Sequence, residues 1–153
     1  MQKVPPLSDR EMRAWRALLR GIALLPRELE ADLQSAHGLS LAAYGVLVRL
    51  SETPERALRM GQLADEVGLT RSAMTRLVDR LVQDGYVERV SCPSDARGSF
   101  ARLTDAGFAA LQNAYPTHLA SARRWVFDRL DDKQVTTLTE LMCTLARDGH
   151  AQP

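Results

Sequence analysis

The stretch MGQLADEVGLTRSAMTRLVDRLVQDGYVERVSCPSDARGSFARL, residues 60–103, decides how the chain folds. Leu63, Ala64 and Val67 supply the inner face of a short helix. Gly68 follows, where a helix closes on a left-handed residue that glycine adopts at little cost. Thr70 stands where it can cap a second helix. Met74, Leu77, Val78 and Leu81 then recur at i, i+3, i+4 and i+7, an apolar stripe on a 3.6-residue period. Ser72, Thr75, Arg76 and Asp79 repeat that spacing on a polar face, and Gly85 closes the helix. Residues 86–90 and 100–103 read as two short strands. The Pro, Ser, Asp and Gly residues of 91–99 make the segment between them a loop.

Two helices joined by a tight turn through Gly68, with the small Ala64 at their contact, form a helix-turn-helix. Its second helix would enter a major groove, with Ser72, Thr75 and Arg76 near base edges or phosphates and Arg71 and Arg80 on the same helix. A ribbon directly after such a helix is a wing, and a wing-tip arginine, here Arg97, can reach a minor groove. Asp95, two residues earlier, can hydrogen-bond the loop backbone or orient that guanidinium. The alternatives are a helix pair of any all-α domain and, for Arg97, a solvated charge or an internal pair with Asp95.

Residues 60–104 resemble the multiple-antibiotic-resistance-regulator (MarR) family of winged helix-turn-helix proteins. The resemblance rests on Leu63-Ala64, on the helix from Thr70 to Leu81 and on Asp84-Gly85-Tyr86-Val87. It rests also on Asp95-Ala96-Arg97 followed by Arg102-Leu103-Thr104. The family's wing usually reads Asp-Arg-Arg or Asp-x-Arg; with Ala96 in the middle, only Arg97 carries over. The resemblance implies a mainly α fold with a small β-wing, its N- and C-terminal helices joining two copies in a triangular dimer. It implies a MarR-type domain over residues 8–148, with the winged core at about 40–104 and dimerisation helices at about 8–37 and 104–148. It also implies a ligand-responsive regulator on double-stranded DNA, more often a repressor than an activator. A winged-helix protein-interaction module is the alternative.

Length and composition bound this reading. The 153 residues make one domain by size. An 18-residue apolar run is lacking, and so is a basic patch ahead of an apolar block, which leads us to expect neither a membrane span nor a secretory signal. Two distant cysteines fit a reducing cytoplasm. The formal net charge is only +1, weak support for nucleic-acid binding. Between Arg71 and Arg102, however, six arginines face four acids, and arginine suits phosphate and guanine contacts.

The flanks read as helices. Ser8-Asp9-Arg10-Glu11 is a capping box, opening a helix with Trp15, Leu18, Leu19 and Ile22 on one stripe. Pro26 should kink or split it, and His37-Gly38 end it. Ser40 can cap the next helix, whose apolar face is Tyr44, Leu47 and Val48 and which Thr53-Pro54 stops. Residues 55–59 read as a charged connector. Thr104 caps a long helix running past a bend at Pro116 to Leu130, and Asp131 with Gln134 starts the last one. These terminal stripes, packed against a second copy, would make a homodimer suited to a pseudo-palindromic site; packing within one chain is the alternative.

Enzyme chemistry has no foothold in the sequence. There is no Gly-rich phosphate loop, His-Glu-x-x-His or Gly-x-Ser-x-Gly, and His37, His118 and His150 lack metal-ligand spacing, so neither cofactor nor metal is expected. Cys92 reads as a bystander in the wing, and Cys143 as a small core or interface residue. The family resemblance implies a cleft for a small anionic aromatic ligand, which Trp15, Arg16, His37, Tyr44 and Arg123 are candidates to line. In a urate-responsive subgroup a helix-1 Trp acts with an Asp and an Arg of the DNA-binding lobe. Trp15, Asp65 and Arg71 are similar in type and order. Against this, Trp15 sits on an apolar stripe, Asp65 suits a helix surface and Arg71 suits a phosphate.

Overall fold

The structure, a computed structural model, describes residues 4–92 and 95–147, with side chains left out at 91–98 and 146–147. Helices are set by their caps. Ser8 accepts from the Glu11 amide while the Glu11 carboxylate takes the Ser8 amide at 2.8 Å, and α1 (Asp9–His37) starts there. Ser40 caps α2 (Leu41–Ser51), Thr70 caps α4 (Arg71–Gln83) and Thr104 caps α5 (Asp105–Trp125). Asp131 and Gln134 bond each other's amides at 2.8 and 3.0 Å and open α6 (Asp132–Arg147). Each hydroxyl or carboxylate takes an amide that has no partner inside its helix.

Pro26 does not split α1, and α5 likewise runs on through Pro116. A proline deletes one hydrogen bond to the carbonyl four residues earlier. Pro26 and Ile22 are both exposed, as are Pro116 and Gln112, so water can replace the missing donor. The fifth helix is shorter than the apolar pattern suggests: it stops at Trp125, and a 3-10 turn, Phe127–Arg129, leads to α6.

The connector at 55–59 is corrected by the structure. Ala57–Arg59 is a strand, β1, pairing Ala57 with Arg102 and Arg59 with Phe100. With β2 (Val87–Cys92) and β3 (Asp95–Leu103) it makes a three-stranded antiparallel sheet in the order β1-β3-β2, not a two-stranded ribbon. Arg56 makes the turn before it at φ 51°, and its carbonyl accepts the Leu103 amide at 2.8 Å. The loop expected at 91–99 is also shorter than read. Ser91 pairs with Ser99 and Cys92 with Asp95, so the ladder runs almost to the tip.

One apolar cluster unites the parts. It joins Leu33 of α1, Leu47 and Leu50 of α2, Leu63 and Ala64 of α3 (Met60–Val67), Met74 and Val78 of α4, Leu103 of β3 and Leu111 of α5. Gly107 lets α5 lie on the β2 entry: a Cβ there would collide with the carbonyl of Tyr86. Outside the cluster, Asp32 of α1 accepts from buried Ser121 and from Arg124 of α5, clasping those two helices. The N-terminal half of α1 and all of α6 contribute no buried residue among those described. Trp15 is 48 % exposed, Ile22 60 %, Leu141 56 % and Leu145 60 %.

Candidate nucleic-acid interface

Helix α3, the turn and helix α4 follow from local rules. Gly68 sits at φ 74°, costly for a residue with a Cβ, and its amide caps α3. Leu63 and Ala64 are fully buried, so α4 can lie close, and Met74, Leu77, Val78 and Leu81 pin it down. That burial fixes which side of α4 is left outside. Arg71, Ser72, Thr75, Arg76, Asp79 and Arg80 are all exposed on it. The Thr75 hydroxyl donates to the Arg71 carbonyl at 2.9 Å, leaving its oxygen lone pairs outward.

The arginines of this lobe divide into two kinds. Arg102 is held by Glu88 at 2.8 Å, and Arg89 by Asp79 at 2.7 Å. Among the described residues, Arg71, Arg76 and Arg80 of α4 have no ion-pair partner. Three guanidiniums with no ion-pair partner among the described residues thus lie on the exposed arc of α4, Arg71 and Arg80 at its two edges and Arg76 between them, and the planar fork of a guanidinium suits a phosphate backbone or a guanine edge.

Asp79 belongs to the polar face but is spent on the wing. Arg89 of β2 gives its Oδ1 two bonds, from Nε at 3.2 Å and Nη2 at 2.7 Å, and gives a third from Nη1 to Ser99 of β3 at 3.2 Å. The clasp ties α4 to both strands of the wing. Sequence reasoning missed Arg89 as its centre, because the pairing depends on how β2 turns back over α4. The side chains of Asp95, Arg97 and Cys92 lie outside the described residues; the backbone places Asp95 and Arg97 at the start of β3, beside the tip.

A cleft of about 720 Å³ opens between α1, α2 and α5, with Arg27, Glu30, Tyr44, Val48, Glu66 and His118 in its wall. That size suits a small organic molecule. The Tyr44 and His118 rings meet at 4.5 Å between centroids. Burial pushes the Tyr44 hydroxyl up, helped by nearby Tyr115, and burial pulls the His118 imidazole down, so both rings stay neutral at neutral pH. Of Trp15, Tyr44, Asp65 and Arg71, only Tyr44 lines this cleft. Trp15 lies eleven residues before Pro26, roughly 16 Å along the helix, and Asp65 and Arg71 sit on exposed faces of α3 and α4. Arg16 borders a different hollow, His37 bonds Thr117 at 2.8 Å, and Arg123 faces Asp128 at 3.9 Å. His118 and Glu30 carried no sequence signal for this site. Cys143 is exposed, which removes its core reading.

Among the described residues there is no group of three His, Cys, Asp or Glu side chains able to hold a metal, and no helix is long and apolar enough to cross a membrane. A buried helix pair joined through a left-handed glycine, an unpaired arginine face and an adjoining three-stranded wing define a winged helix-turn-helix. The sequence model of the MarR family matches residues 37–98. The chain is similar to Sco3205, a MarR family transcriptional regulator from Streptomyces coelicolor solved in complex with DNA. The two are 39 % identical at a TM-score of 0.92, covering all of this chain and 94 % of that one. It is similar also to AbsC, a MarR family transcriptional regulator of the same organism, at 35 % identity and a TM-score of 0.90, over 97 % of this chain and all of that one. The HTH-type transcriptional regulator MhqR of Bacillus subtilis is 29 % identical over 106 residues, 69 % of this chain and 71 % of that protein. The chain belongs to the MarR family of transcription regulators.

Proposed function

We propose that the chain works in the cytoplasm as a homodimeric repressor that binds a pseudo-palindromic DNA site and is released by a small aromatic ligand. The observation that carries this reading is the outer face of α4, where Arg71, Arg76 and Arg80 lie exposed and unpaired among the described residues. Ser72 and Thr75 add hydroxyls between them, and Asp95 and Arg97 supply the wing's reach into a neighbouring minor groove. The exposed apolar stripes of α1 and α6 are the surfaces a second copy would cover, and two copies present two α4 helices to one DNA duplex.

The ligand would enter the cleft beside Tyr44 and His118, where two aromatic rings form the wall. Arg27 is the lining guanidinium without an ion-pair partner among the described residues, since Arg49 is held by Glu52 at 3.0 Å. An anionic aromatic would therefore meet Arg27. The cleft lies between the terminal helices and the DNA-binding lobe, so an occupant that favours one spacing of the lobes shifts DNA affinity by its differential binding. A gel shift on the DNA upstream of the protein's own gene, repeated over a salt series, tests the reading. A retarded complex that weakens steeply with salt supports it, and binding that is equal on unrelated DNA of the same length refutes it.

A further inference from the structure

The stretch Met12–Arg27 of α1 contains four arginines and no acid, in a protein whose formal net charge is +1. Arg13, Arg16 and Arg20 are exposed and have no ion-pair partner among the described residues. At 100° per residue they fall within about 60° of one another, and about 140° from the centre of the Trp15, Leu18, Leu19 and Ile22 stripe. A second copy seated on that apolar stripe leaves the arginines outside. They border a shallow hollow with Ala17, Gly21 and Leu24. Nothing stands within 4 Å of where a Gly21 Cβ would be, and Leu24 is 48 % exposed.

We propose that this face of α1 is a docking site for an acidic amphipathic helix of a partner protein. The arginines recur at spacings of three and four residues, the period of a seam along which a second helix can lie. Carboxylates at matching spacing would meet the guanidiniums bidentately. An apolar residue beside them would seat on Ala17, Gly21 and Leu24, where two small side chains let a helix approach. That apolar floor is what separates a protein helix from a nucleic acid, whose phosphates have nothing to place there. Nor does α6 of a second copy fit: in residues 132–147 Asp132 and Glu140 are offset by Lys133 and Arg147, and its exposed Leu141 and Leu145 match the apolar stripe instead. Like charges at these spacings disfavour the isolated helix, and a negative partner removes that repulsion.

The test uses the full chain and a fluorescein-labelled synthetic helix of about 20 residues, long enough to hold helical structure. It carries Glu at i, i+3 and i+7 with Leu on the adjoining row. Anisotropy should show saturable binding. It should weaken at least tenfold for Arg13→Glu/Arg16→Glu/Arg20→Glu, for Leu24→Glu, and for a peptide with its Leu residues replaced by Gln. Both protein variants should keep the oligomeric mass and melting temperature of the parent. The proposal is overturned if the parent chain does not bind the peptide or if the charge-reversed chain binds it equally. Displacement of the peptide by a random DNA duplex as efficiently as by unlabelled peptide would assign the face to nucleic acid instead. A charge-reversed chain that becomes monomeric would assign it to a second copy.

Discussion

Arg76 stands on the exposed side of α4 with no acid to hold it among the described residues, so its guanidinium is available to whatever α4 meets. Replacing it with Ala should cost roughly 1–3 kcal/mol of DNA affinity if it reads a base, or lower the salt slope by about one if it meets a phosphate. Fluorescence anisotropy over a salt series distinguishes these. Unchanged affinity in a folded Arg76→Ala chain would mean that another face of α4 is the binding surface. Arg97 belongs to the wing. With Ala96 beside it, it is the tip's arginine, and Arg97→Ala should weaken binding at least about tenfold, ~1.4 kcal/mol, without changing the melting temperature. Asp95→Ala should give a milder form of the same defect. Gly107 is a different kind of residue, since its role is closeness. Gly107→Ala pushes a methyl into the Tyr86 carbonyl and should destabilise the fold by about 1–3 kcal/mol, read from chemical denaturation. His118 and Asp32 both contribute to the acid limb of stability. Burial lowers the His118 pKa, so unfolding takes up a proton and stability falls as pH drops below about 6.5. The hydrogen bond from Ser121, then the Arg124 contact, hold the Asp32 carboxyl low, so its contribution is complete above about pH 4 and is lost below it. His118→Phe, which keeps the ring against Tyr44, should flatten the melting-temperature profile below about pH 6.5. An unaltered profile would contradict the assignment.

At the scale of elements, what could be read from the sequence was whatever is local. Ser8 with Glu11, Ser40, Thr70, Thr104, and Asp131 with Gln134 each cap a helix where the spacing predicts, because a cap is decided within four residues. The stripe of Met74, Leu77, Val78 and Leu81 is buried as its period requires. What depends on distant partners was not legible. Ala57–Arg59 has no strand pattern of its own and becomes one only by pairing with the outer edge of β3, more than forty residues later. The cleft brings His118 of α5 against Tyr44 of α2, a meeting that no spacing announces. Pro26 does not split α1 for a related reason: the sequence shows the missing amide but not that both ends of the gap are open to water. The Asp79–Arg89–Ser99 clasp is likewise a long-range feature, and its job is angular. Both its charged partners are substantially exposed, 53 % for Asp79 and 35 % for Arg89, so Arg89→Ala should change stability by under about 1 kcal/mol. It should nevertheless loosen the wing against α4 and weaken specific DNA binding several-fold more than non-specific binding, as competition anisotropy would read. Equal loss on both kinds of DNA would make Arg89 a simple phosphate contact.

For the whole molecule, the apolar surface left open on α1 and α6 argues for two copies. Fully burying side chains such as Trp15, Ile22, Leu141 and Leu145 is worth about 1.5–3 kcal/mol each relative to full exposure, and a lone chain, in which they stay 48–60 % exposed, forgoes about half of that. Light scattering at micromolar concentration should report twice the chain mass. Ile22→Asp, which puts a charge into that stripe, should shift the mass toward the monomer. A folded parent chain that scatters as a monomer would remove the two-fold basis of the DNA reading. Two α4 helices related by a two-fold axis would choose DNA of matching symmetry. Selection from a pool of random duplexes with the full-length protein measures this most directly. It should enrich an inverted repeat whose half-sites lie about one helical turn, roughly 34–36 Å, apart, and Arg76→Ala should bind that repeat more weakly than the parent. A pool that enriches nothing, or a single half-site without its inverted mate, would contradict the claim that this protein reads DNA as a two-fold winged-helix pair.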